Sequence, residues 1–330
     1  MSGVKRLLVC AAALTLLSCA PSRQYSLGEF LKANNAQPAR ELTNVPFFPQ
    51  ERHQCGPAAL ATVLVYSGID THPEELEPQV FLPGREGSLT VELAAASRRH
   101  GRLPYPMAAG LENILAEVGA GNPVVVLLNL GFDDFPVWHY AVVVGYDAEK
   151  NSLTLRSGME RRKIMGTSRF YSAWRRAAFW GLVVVPPDRI PATANSQDYL
   201  REAAALEQIG KLSEAAEAFD AALQRWPGNE AALLGLGNVK YTQNDLQAAA
   251  AIYLRLVQSL PDSAAGFNNL AHVLTELQCY DEALGAVHRA RSLSVKGDEV
   301  GVVGAKTEEE ILRKAREKDY RKPCPVPGMK

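Results

Sequence analysis

The stretch His53-Gln54-Cys55-Gly56-Pro57-Ala58-Ala59 runs directly into an apolar, helix-patterned segment from Ala61 to Tyr66. This pattern places a single cysteine at the predicted start of a helix. Unpaired backbone N–H groups and the positive end of the helix dipole stabilise a thiolate there, so we expect a lowered pKa for Cys55. The stretch therefore predicts a nucleophilic thiol at a helix tip.

A second segment is suited to supply a base. Trp138-His139-Tyr140-Ala141-Val142-Val143-Val144-Gly145-Tyr146-Asp147 is apolar and β-branched, which predicts a strand with His139 at its beginning. An imidazole at a strand edge that faces a thiol on a helix tip can act as general base and acid. Taken singly, each residue also fits a structural role, Cys55 as a small buried residue and His139 as a hydrogen-bonded ring.

The first 19 residues have the pattern of a bacterial export signal. A basic start precedes an apolar run from Leu7 to Leu17, which is short for a transmembrane helix. Leu16-Leu17-Ser18-Cys19 resembles the lipobox, in which the cysteine is lipidated. We expect Cys19 to anchor the protein in the cell envelope, at the outer membrane facing the periplasm, with a plain signal peptide as the alternative.

Composition and charge limit the possible partners and cofactors. The chain has 330 residues, 47% of them hydrophobic, which is enough for two domains. A net charge of −1 without a basic patch argues against nucleic acid as a partner. His53, His72 and His100 lack metal-ligand spacing, so we expect neither a metal site nor another cofactor.

The cysteines leave two arrangements open. After export and lipidation of Cys19, the possible thiols are Cys55, Cys279 and Cys324. In an oxidising compartment an odd number leaves at least one cysteine unpaired or partnered elsewhere. Either Cys279 and Cys324 form a disulfide and Cys55 stays free, or both are isolated thiols.

Residues 44–187 combine helix patterns with later strand patterns. We expect helices at 56–67, 89–100 and 111–119, with a Pro/Gly-rich loop around 78–87. We expect strands at 123–129, 139–146, 152–156 and 178–185, the second and third forming a hairpin through a turn at 147–151. Helices first and an antiparallel sheet afterwards predict an α+β domain.

Beyond Pro191 the chain is helical and periodic. Pro227 and Pro261 lie 34 residues apart, and alignment on them superposes four further columns. The columns are Ala203/Gly237/Ala271, Ala215/Ala249/Ala283, Phe219/Tyr253/Val287 and Ala222/Leu256/Ala290. This spacing of small and large residues resembles the tetratricopeptide repeat. A generic alanine-rich bundle is the alternative.

The predicted boundaries follow from these patterns. A tether at 20–43 precedes the first domain, and a linker at 188–195 follows it. Three repeats occupy 196–295, and 296–330 hold a capping helix, expected at Thr307 to Lys318, and a tail.

The first domain resembles the double-glycine leader peptidases, C39-like and papain-like cysteine peptidases that mature bacteriocins and related peptides. The likeness rests on Val45-Pro46-Phe47-Phe48-Pro49-Gln50, on Gln54-Cys55-Gly56-Pro57-Ala58-Ala59-Leu60 and on the strand that begins with His139. It covers roughly residues 44–187. It implies an α+β papain-like cysteine peptidase domain followed by an all-α tetratricopeptide-repeat domain.

The resemblance also implies roles for individual residues. Cys55 would be the nucleophile and His139 the general base and acid, and Gln50 would donate to the oxyanion together with the backbone N–H of Cys55. The family's glutamine commonly lies six residues before the cysteine, whereas Gln50 lies five before it. We favour Gln50, with Gln54 as a loop residue.

The third catalytic group departs from the family pattern. Where the family usually has aspartate followed by proline, this chain has Arg156-Ser157-Gly158. Counting back across the hairpin places Ser157 near His139, where a hydroxyl orients the ring but cannot balance imidazolium charge. Asp133 or Asp134 could instead reach in from the preceding loop.

Together these patterns predict a lipid-anchored cysteine peptidase of the cell envelope. It would cleave peptide or protein substrates, hold a protein partner in the repeat groove and touch the membrane only through its anchor. The alternative is a catalytically weak or inactive papain-like module that binds peptides and assembles envelope proteins. The same cysteine–histidine pair would also permit transpeptidation or amide hydrolysis on cell-wall peptides.

Overall fold

A computed structural model describes most of the chain, namely residues 27–33, 37–49, 54–82, 84, 87–294, 299–317, 324 and 326. The predicted signal and its Cys19, as well as Gln50 and His53, lie outside the described residues. Among the helices that are described, none combines the length and the apolar character needed to cross a bilayer.

The first domain combines six helices with nine strands in the described residues. The helices are α1 (Leu27–Ala33), α2 (Cys55–Tyr66), α3 (Pro73–Val80), α4 (Thr90–Arg99), α5 (Leu111–Gly119) and α6 (Thr167–Arg175). The strands are β1 (Ala39–Glu41), β2 (Phe81–Leu82), β3 (Gly87–Ser88), β4 (Leu103–Pro106), β5 (Val124–Asn129), β6 (Trp138–Asp147), β7 (Ser152–Ser157), β8 (Glu160–Gly166) and β9 (Gly181–Val185).

One antiparallel sheet organises the domain. Its order is β4-β9-β5-β6-β7-β8, and β1 also pairs with β6. β5 covers the first part of one edge of β6, and β1 covers the last part of the same edge. β7 pairs with the other edge of β6 and forms the predicted hairpin with it. The long strand β6 is therefore the centre of the sheet.

Helix α2 is the central helix of the core. Its residues from Gly56 to Leu64 are buried, and it packs against β6. A helix that is apolar all round must be covered on all sides, which fixes α2 over the sheet. Because α2 begins at Cys55, the same packing fixes the thiol against the beginning of β6.

Several predicted boundaries differ from the structure. Residues 27–33 and 39–41, which we assigned to the tether, form α1 and β1 because Leu27 and Leu31 are buried and β1 completes an edge of β6. The predicted loop around 78–87 begins too early, since α3 continues through Pro78 to Val80. β9 begins at Gly181 rather than 178, because Ala178 and Phe179 turn with positive φ.

The second domain consists of three helix pairs and a final helix. The helices are α7 (Ser196–Gln208), α8 (Leu212–Arg225), α9 (Glu230–Thr242), α10 (Leu246–Ser259), α11 (Ala264–Glu276), α12 (Tyr280–Leu293) and α13 (Glu299–Glu317). The first helices of the pairs begin 34 residues apart, and so do the second helices. The predicted capping helix is therefore present as α13 and begins earlier than expected.

Small residues set the distance between the paired helices. A Cβ atom on Gly237 would lie 2.4 Å from the ring of Tyr253, and one on Gly235 would lie 2.3 Å from the ring of Phe219. Glycine therefore lets an aromatic side chain of the neighbouring helix lie directly on the backbone. The contact of Gly237 with Tyr253 joins two of the columns aligned in the sequence, whereas Gly235 lies outside them.

A disulfide between Cys279 and Cys324 ties the C-terminal tail to the start of α12. Of the two arrangements left open by the sequence, the structure contains the one in which Cys55 is a free cysteine. The described residues offer one metal-like cluster, Cys279, Glu282 and Cys324, and its two sulfurs are those of the disulfide.

The two domains meet in a contact that we call the seam, formed by Arg98, Tyr105, Glu117, Thr193 and Glu202. Arg98 Nη2 lies 2.6 Å from a carboxylate oxygen of Glu202 in α7. Glu117 in α5 is wholly buried and accepts hydrogen bonds from the backbone N–H and hydroxyl of Thr193 at 2.7 and 2.6 Å. The Tyr105 hydroxyl donates to the Thr193 carbonyl at 3.2 Å. The predicted linker is thus held against the first domain.

Candidate active site

Cys55 occupies the first position of α2, as the sequence predicts, and is partly buried. Burial raises the pKa of its thiol, while hydrogen bonds from the backbone N–H groups of Tyr140, Gly56 and Cys55 itself lower it in part. The net direction is upward, so the expected lowering of the pKa is wrong. Desolvation of a thiolate outweighs the favourable backbone dipoles at this position.

His139 follows Trp138 at the beginning of β6 and adjoins the residue whose backbone N–H contacts the Cys55 sulfur. Its Nε2 atom lies 2.8 Å from the Ser157 hydroxyl oxygen. Burial, followed by the positive charge of Lys163, lowers the pKa of His139 to about 4. The imidazole is therefore neutral at neutral pH.

Ser157 is the last residue of β7, and the predicted meeting of Ser157 with His139 is present as this hydrogen bond. The preceding Arg156 has a buried side chain that donates to the carbonyls of Val45 at 3.2 Å and Arg161 at 2.8 Å. The first bond fastens the end of β7 to the segment before α2, and the second fastens it to β8. The end of β7 that carries Ser157 is thus held by the contacts of its neighbour Arg156.

The carboxylates of Asp133 and Asp134 make no hydrogen bond or ion pair with the imidazole of His139 among the described residues. Asp133 and Asp134 are exposed in the loop before β6. Within the part of the chain that the structure describes, no hydrogen bond or ion pair joins a carboxylate to His139. Asp147, which we expected in the turn, is the last residue of β6, at the far end from His139, and accepts a hydrogen bond from the Lys150 backbone N–H at 3.0 Å.

Of the hydrogen-bond donors that could stabilise an oxyanion, the backbone N–H of Cys55 and the side chain of Gln54 lie within the described residues. Gln54 precedes α2, is half-buried and makes no side-chain capping bond to the helix. The backbone N–H of Cys55 lies at the thiol and belongs to the first turn, where N–H groups have no partner within the helix. Gln50, the predicted second donor, lies outside the described residues.

The sequence analysis missed Ser88 as a wall of the site. Its carbonyl accepts a hydrogen bond from the Tyr140 hydroxyl at 3.2 Å, and burial raises the pKa of Tyr140. A Cβ atom on Gly56 would lie 2.2 Å from the Ser88 hydroxyl oxygen. The glycine after Cys55 was the one available signal that another element approaches the helix start closely.

These contacts place a free thiol against the backbone of Tyr140, the residue after His139, and a hydroxyl on the neutral imidazole of His139. Such a set can transfer an acyl group to sulfur, with the histidine as proton acceptor and donor. The catalytic roles of Cys55, His139, Ser157 and Gln50 stay predictions.

Comparisons with known families match both domains. Residues 42–180 match the Peptidase C39 like family, and residues 200–264 match the tetratricopeptide repeat. The protein therefore carries a C39-like α+β domain followed by all-helical tetratricopeptide repeats, which confirms the predicted fold class. Among curated proteins, no match is found.

Solved structures resemble the two domains separately. A putative C39-like peptidase from Bacillus anthracis is 20% identical, with 45% of this chain and 98% of that one covered and a TM-score of 0.38. A double glycine motif protease from an AMS/PCAT transporter, solved with its leader peptide, is 17% identical, with 46% and 94% covered and a TM-score of 0.33. The Sgt2 TPR domain from Aspergillus fumigatus is 16% identical, with 41% and 90% covered and a TM-score of 0.34.

Proposed function

We propose that the protein is a cysteine peptidase of the bacterial cell envelope that cleaves peptide or protein substrates with Cys55 and His139. The observation that carries this proposal is the juxtaposition at the beginning of β6. The Cys55 sulfur is bonded by the N–H of Tyr140, and the neighbouring His139 is oriented by Ser157 at 2.8 Å. The match of this domain to C39-like peptidases supports the same chemistry.

The pKa directions indicate which proton transfer accompanies attack. Thiol and imidazole are both neutral before substrate binds, because burial raises the pKa of Cys55 and lowers that of His139. When Nε2 carries the ring proton and donates it to the Ser157 hydroxyl, Nδ1 of His139 is the proton acceptor. The imidazole then takes the thiol proton while sulfur attacks the substrate carbonyl.

The remaining steps use the same groups. As the sulfur–carbon bond forms, the carbonyl electron pair moves to oxygen, where the Cys55 N–H stabilises it and Gln50 is the proposed second donor. The carbon–nitrogen bond then breaks, and the imidazolium of His139 gives its proton to the leaving amine. A water molecule that loses a proton to His139 hydrolyses the thioester and restores the thiol.

Cell-envelope location is part of the proposal. The export pattern with Cys19 supports lipid anchoring at the outer membrane. The disulfide between Cys279 and Cys324 supports an oxidising compartment, since structural disulfides are rare in reducing ones. In a chain that forms this disulfide, a cysteine that stays free, as Cys55 does, fits a thiol retained for chemistry.

The repeats supply a place for a protein partner. A cavity of about 390 Å³ lies between α9, α11 and α13, with Tyr253 of α10 in its wall. Its lining includes Asn238, Tyr241, Asn269, His272, Lys306 and Glu310. Amide, hydroxyl and charged groups of this kind suit the backbone and polar side chains of a bound peptide segment.

A specific observation favours a second function, a peptide-binding module with weak or no catalysis. A hydroxyl, and no carboxylate within the described residues, bonds His139, so an imidazolium would lack a counter-charge. The neutral resting pair also limits the thiolate population. Under this reading the cleft binds peptides, and the repeats recruit their partner without hydrolysis.

Hydrolysis and active-site labelling test the peptidase proposal. The chain from residue 20 onward, which retains every described residue, is incubated with a proteome-derived peptide mixture and with a peptidyl electrophile, and both are followed by mass spectrometry. We expect new termini in the peptides and an adduct on Cys55. Both should disappear in Cys55→Ala and fall at least about a hundredfold in His139→Ala.

The matched control removes a histidine elsewhere. His288 is an exposed residue of α12, so His288→Ala should leave cleavage and labelling unchanged. Identical peptide products from wild type and Cys55→Ala would exclude the peptidase assignment. Absence of cleavage, with Cys55 modified only after unfolding, would support the binding module instead.

A further inference from the structure

Large apolar side chains are exposed beside the candidate active site. Among the described residues, the three most exposed large apolar side chains are Phe135, Phe132 and Met159, at 78%, 77% and 70%. Val137 and Trp138 are exposed as well. We call these five residues the apolar rim.

The rim lies at the end of the sheet where the candidate catalytic residues meet. Four of its members belong to the β5–β6 connection and the first residue of β6, and Trp138 directly precedes His139. Met159 lies in the turn between β7 and β8, two residues after Ser157. Because β6 and β7 are antiparallel neighbours, the beginning of β6 and the end of β7 are at the same end of the sheet.

The β5–β6 connection is fixed by a buried asparagine. The Asn129 side-chain oxygen accepts hydrogen bonds from the backbone N–H groups of Gly131 at 3.0 Å and Val137 at 2.9 Å, and its nitrogen donates to the Phe132 carbonyl at 3.1 Å. The Arg176 guanidinium donates to the Asn129 carbonyl at 2.9 Å. The chain thus holds exposed aromatic rings on an ordered loop.

Exposed aromatic residues on a preorganised loop are typical of a binding surface, because little conformational entropy is lost when the partner arrives. The rim runs directly into His139 through Trp138, so a substrate held at the beginning of β6 lies close to it. Its position therefore favours the substrate itself as the occupant.

Two carboxylates define the chemistry of that occupant further. Asp133 and Asp134 lie between Phe132 and Phe135 on the same loop and are exposed. Insertion of this loop into a bilayer would carry both carboxylates toward the hydrocarbon, which is costly, and toward anionic headgroups, which repel them. A peptide with basic residues instead gains from the same carboxylates.

We propose that the apolar rim and its two aspartates bind a substrate segment that combines bulky apolar residues with lysine or arginine. This inference rests on the proposed peptidase function and names the chemistry of its substrate. The rings of Phe132 and Phe135 take the apolar residues, and Asp133 and Asp134 take the basic ones. The segment lies next to the bond presented to Cys55.

Binding of defined peptides tests the inference without requiring catalysis. Three short fluorescent peptides are titrated against the Cys55→Ala chain from residue 20 onward, with anisotropy as the readout. The first has phenylalanine and leucine followed by lysines, the second replaces lysine with glutamate, and the third replaces the apolar residues with serine. We expect the first to bind at least about tenfold more tightly than either of the others.

Substitutions in the rim and at its two aspartates test whether the peptides bind there. Phe132→Ser combined with Phe135→Ser should weaken binding of the first peptide at least about tenfold. Asp133→Asn combined with Asp134→Asn should remove the preference for lysine over glutamate. Val91→Ser, which removes an exposed apolar side chain from α4, is the matched control and should change nothing.

Each contrary result has a defined meaning. Equal affinity for the three peptides, or affinity unchanged by the paired phenylalanine variant, would overturn the inference. Sedimentation of the same chain with phosphatidylcholine–phosphatidylglycerol vesicles, lost in the paired variant and without peptide discrimination, would overturn it in favour of a membrane surface.

The outcome is separable from that of the proposed function. Cys55-dependent cleavage of the peptide mixture that persists while the three peptides bind equally would remove the rim inference alone. Rim-dependent peptide binding without any Cys55-dependent cleavage would remove the peptidase function and leave a peptide-binding surface.

Discussion

The seam between the domains and the candidate active site bury polar groups in different ways. In the seam, Glu117 accepts four hydrogen bonds, from Asn122, from the Ala192 N–H and from both donors of Thr193. In the site, the Ser88 hydroxyl is the one buried side-chain oxygen or nitrogen without a partner among the described residues. His139 has a hydrogen-bond partner, but that partner is a neutral hydroxyl. A carboxylate would be needed there to balance the positive charge of a protonated imidazole.

The difference separates groups that hold the fold from groups available for chemistry. A buried carboxylate with all its acceptor positions used contributes to stability and has no capacity left for a ligand. A histidine with one ring nitrogen hydrogen-bonded and no hydrogen bond to the other within the described residues keeps the capacity to accept a proton. Changes in the seam should therefore alter stability alone, whereas changes at His139 and Ser157 should alter activity or the pH dependence of activity and stability.

The largest effect on stability should come from removing the seam carboxylate. Glu117→Ala leaves the N–H groups of Ala192 and Thr193 and the amide of Asn122 without their acceptor in a buried place. Since each unpaired buried donor costs on the order of 1–3 kcal/mol, we expect the free energy of unfolding to fall by about 4 kcal/mol. Urea denaturation followed by circular dichroism measures the change.

Glu112→Ala is the matched control, because Glu112 is an exposed glutamate of the same helix. Its effect should stay below about 1 kcal/mol. Labelling of Cys55 should be equal in both variants at low urea. A loss of stability as small as that of the control would mean that the seam does not hold the two domains together.

The repeat domain was predictable because its contacts are local and recur. Helix starts at Ser196, Glu230 and Ala264 repeat the sequence period, and each helix pair packs mainly on its neighbours. A small residue such as Gly237 and its partner Tyr253 can be matched by alignment alone. The periodic columns in the sequence therefore predicted both elements and contacts.

The second effect is a pH dependence that originates at His139. Its pKa is near 6.5 in an unfolded chain and about 4 in the folded one. Between these pH values the unfolded state binds a proton at His139 and the folded state does not. The contribution of His139 to the free energy of unfolding is therefore fully present above pH 6.5 and is lost as the pH is lowered toward 4. The difference corresponds to about 3 kcal/mol.

Urea denaturation at pH 7 and pH 4.5 measures this loss. In His139→Gln the part of the acid destabilisation that belongs to the imidazole should be absent, whereas in His288→Gln, at an exposed position, it should remain. Equal acid sensitivity in wild type and His139→Gln would show that the imidazole of His139 is not desolvated in the folded protein.

The third effect concerns the close approach at the start of α2. A methyl group on Gly56 would lie 2.2 and 2.5 Å from the hydroxyl oxygen and Cβ of Ser88, so Gly56→Ala should destabilise by about 2 kcal/mol. Combination with Ser88→Gly, which removes both atoms, should restore most of the loss. Ser88→Ala alone should cost little, because its hydroxyl has no partner.

The thermal midpoint of the four proteins provides the measurement. Failure of Ser88→Gly to rescue Gly56→Ala would contradict the contact. A marked destabilisation by Ser88→Ala would show that the hydroxyl has a structural partner after all, and the contrast with Glu117 would then disappear.

The candidate site was predictable where register or helix patterning determines it, and not where distant segments meet. Cys55 followed from the helix pattern, and Ser157 followed from counting across a hairpin whose strands are adjacent in the chain. Ser88 lies on the short strand pair β2–β3, which is distant in sequence from β6. Asn129 fixes the β5–β6 connection through hydrogen bonds of its own side chain. Neither contact could be read from the sequence pattern. The pKa of Cys55 was misjudged because burial depends on the whole core around α2.

The smallest effect should come from Ser157, which is a positioning residue because it acts through His139. Ser157→Ala removes the acceptor at 2.8 Å from Nε2 and allows the other tautomer, so we expect kcat/KM to fall about tenfold with KM little changed. Ser172→Ala, at an exposed position of α6, is the matched control.

Ser157→Asp adds the carboxylate whose absence distinguishes the site from the seam. A negative charge beside the imidazole stabilises its protonated form, so the acid limb of kcat/KM should move from about pH 4 toward neutrality. Above that limb the rate should equal or exceed that of wild type, because the imidazolium formed during attack then has a counter-charge. If the pH profiles of Ser157→Ala and Ser157→Asp both coincide with that of wild type, the hydroxyl neither orients His139 nor occupies the position of a third catalytic group.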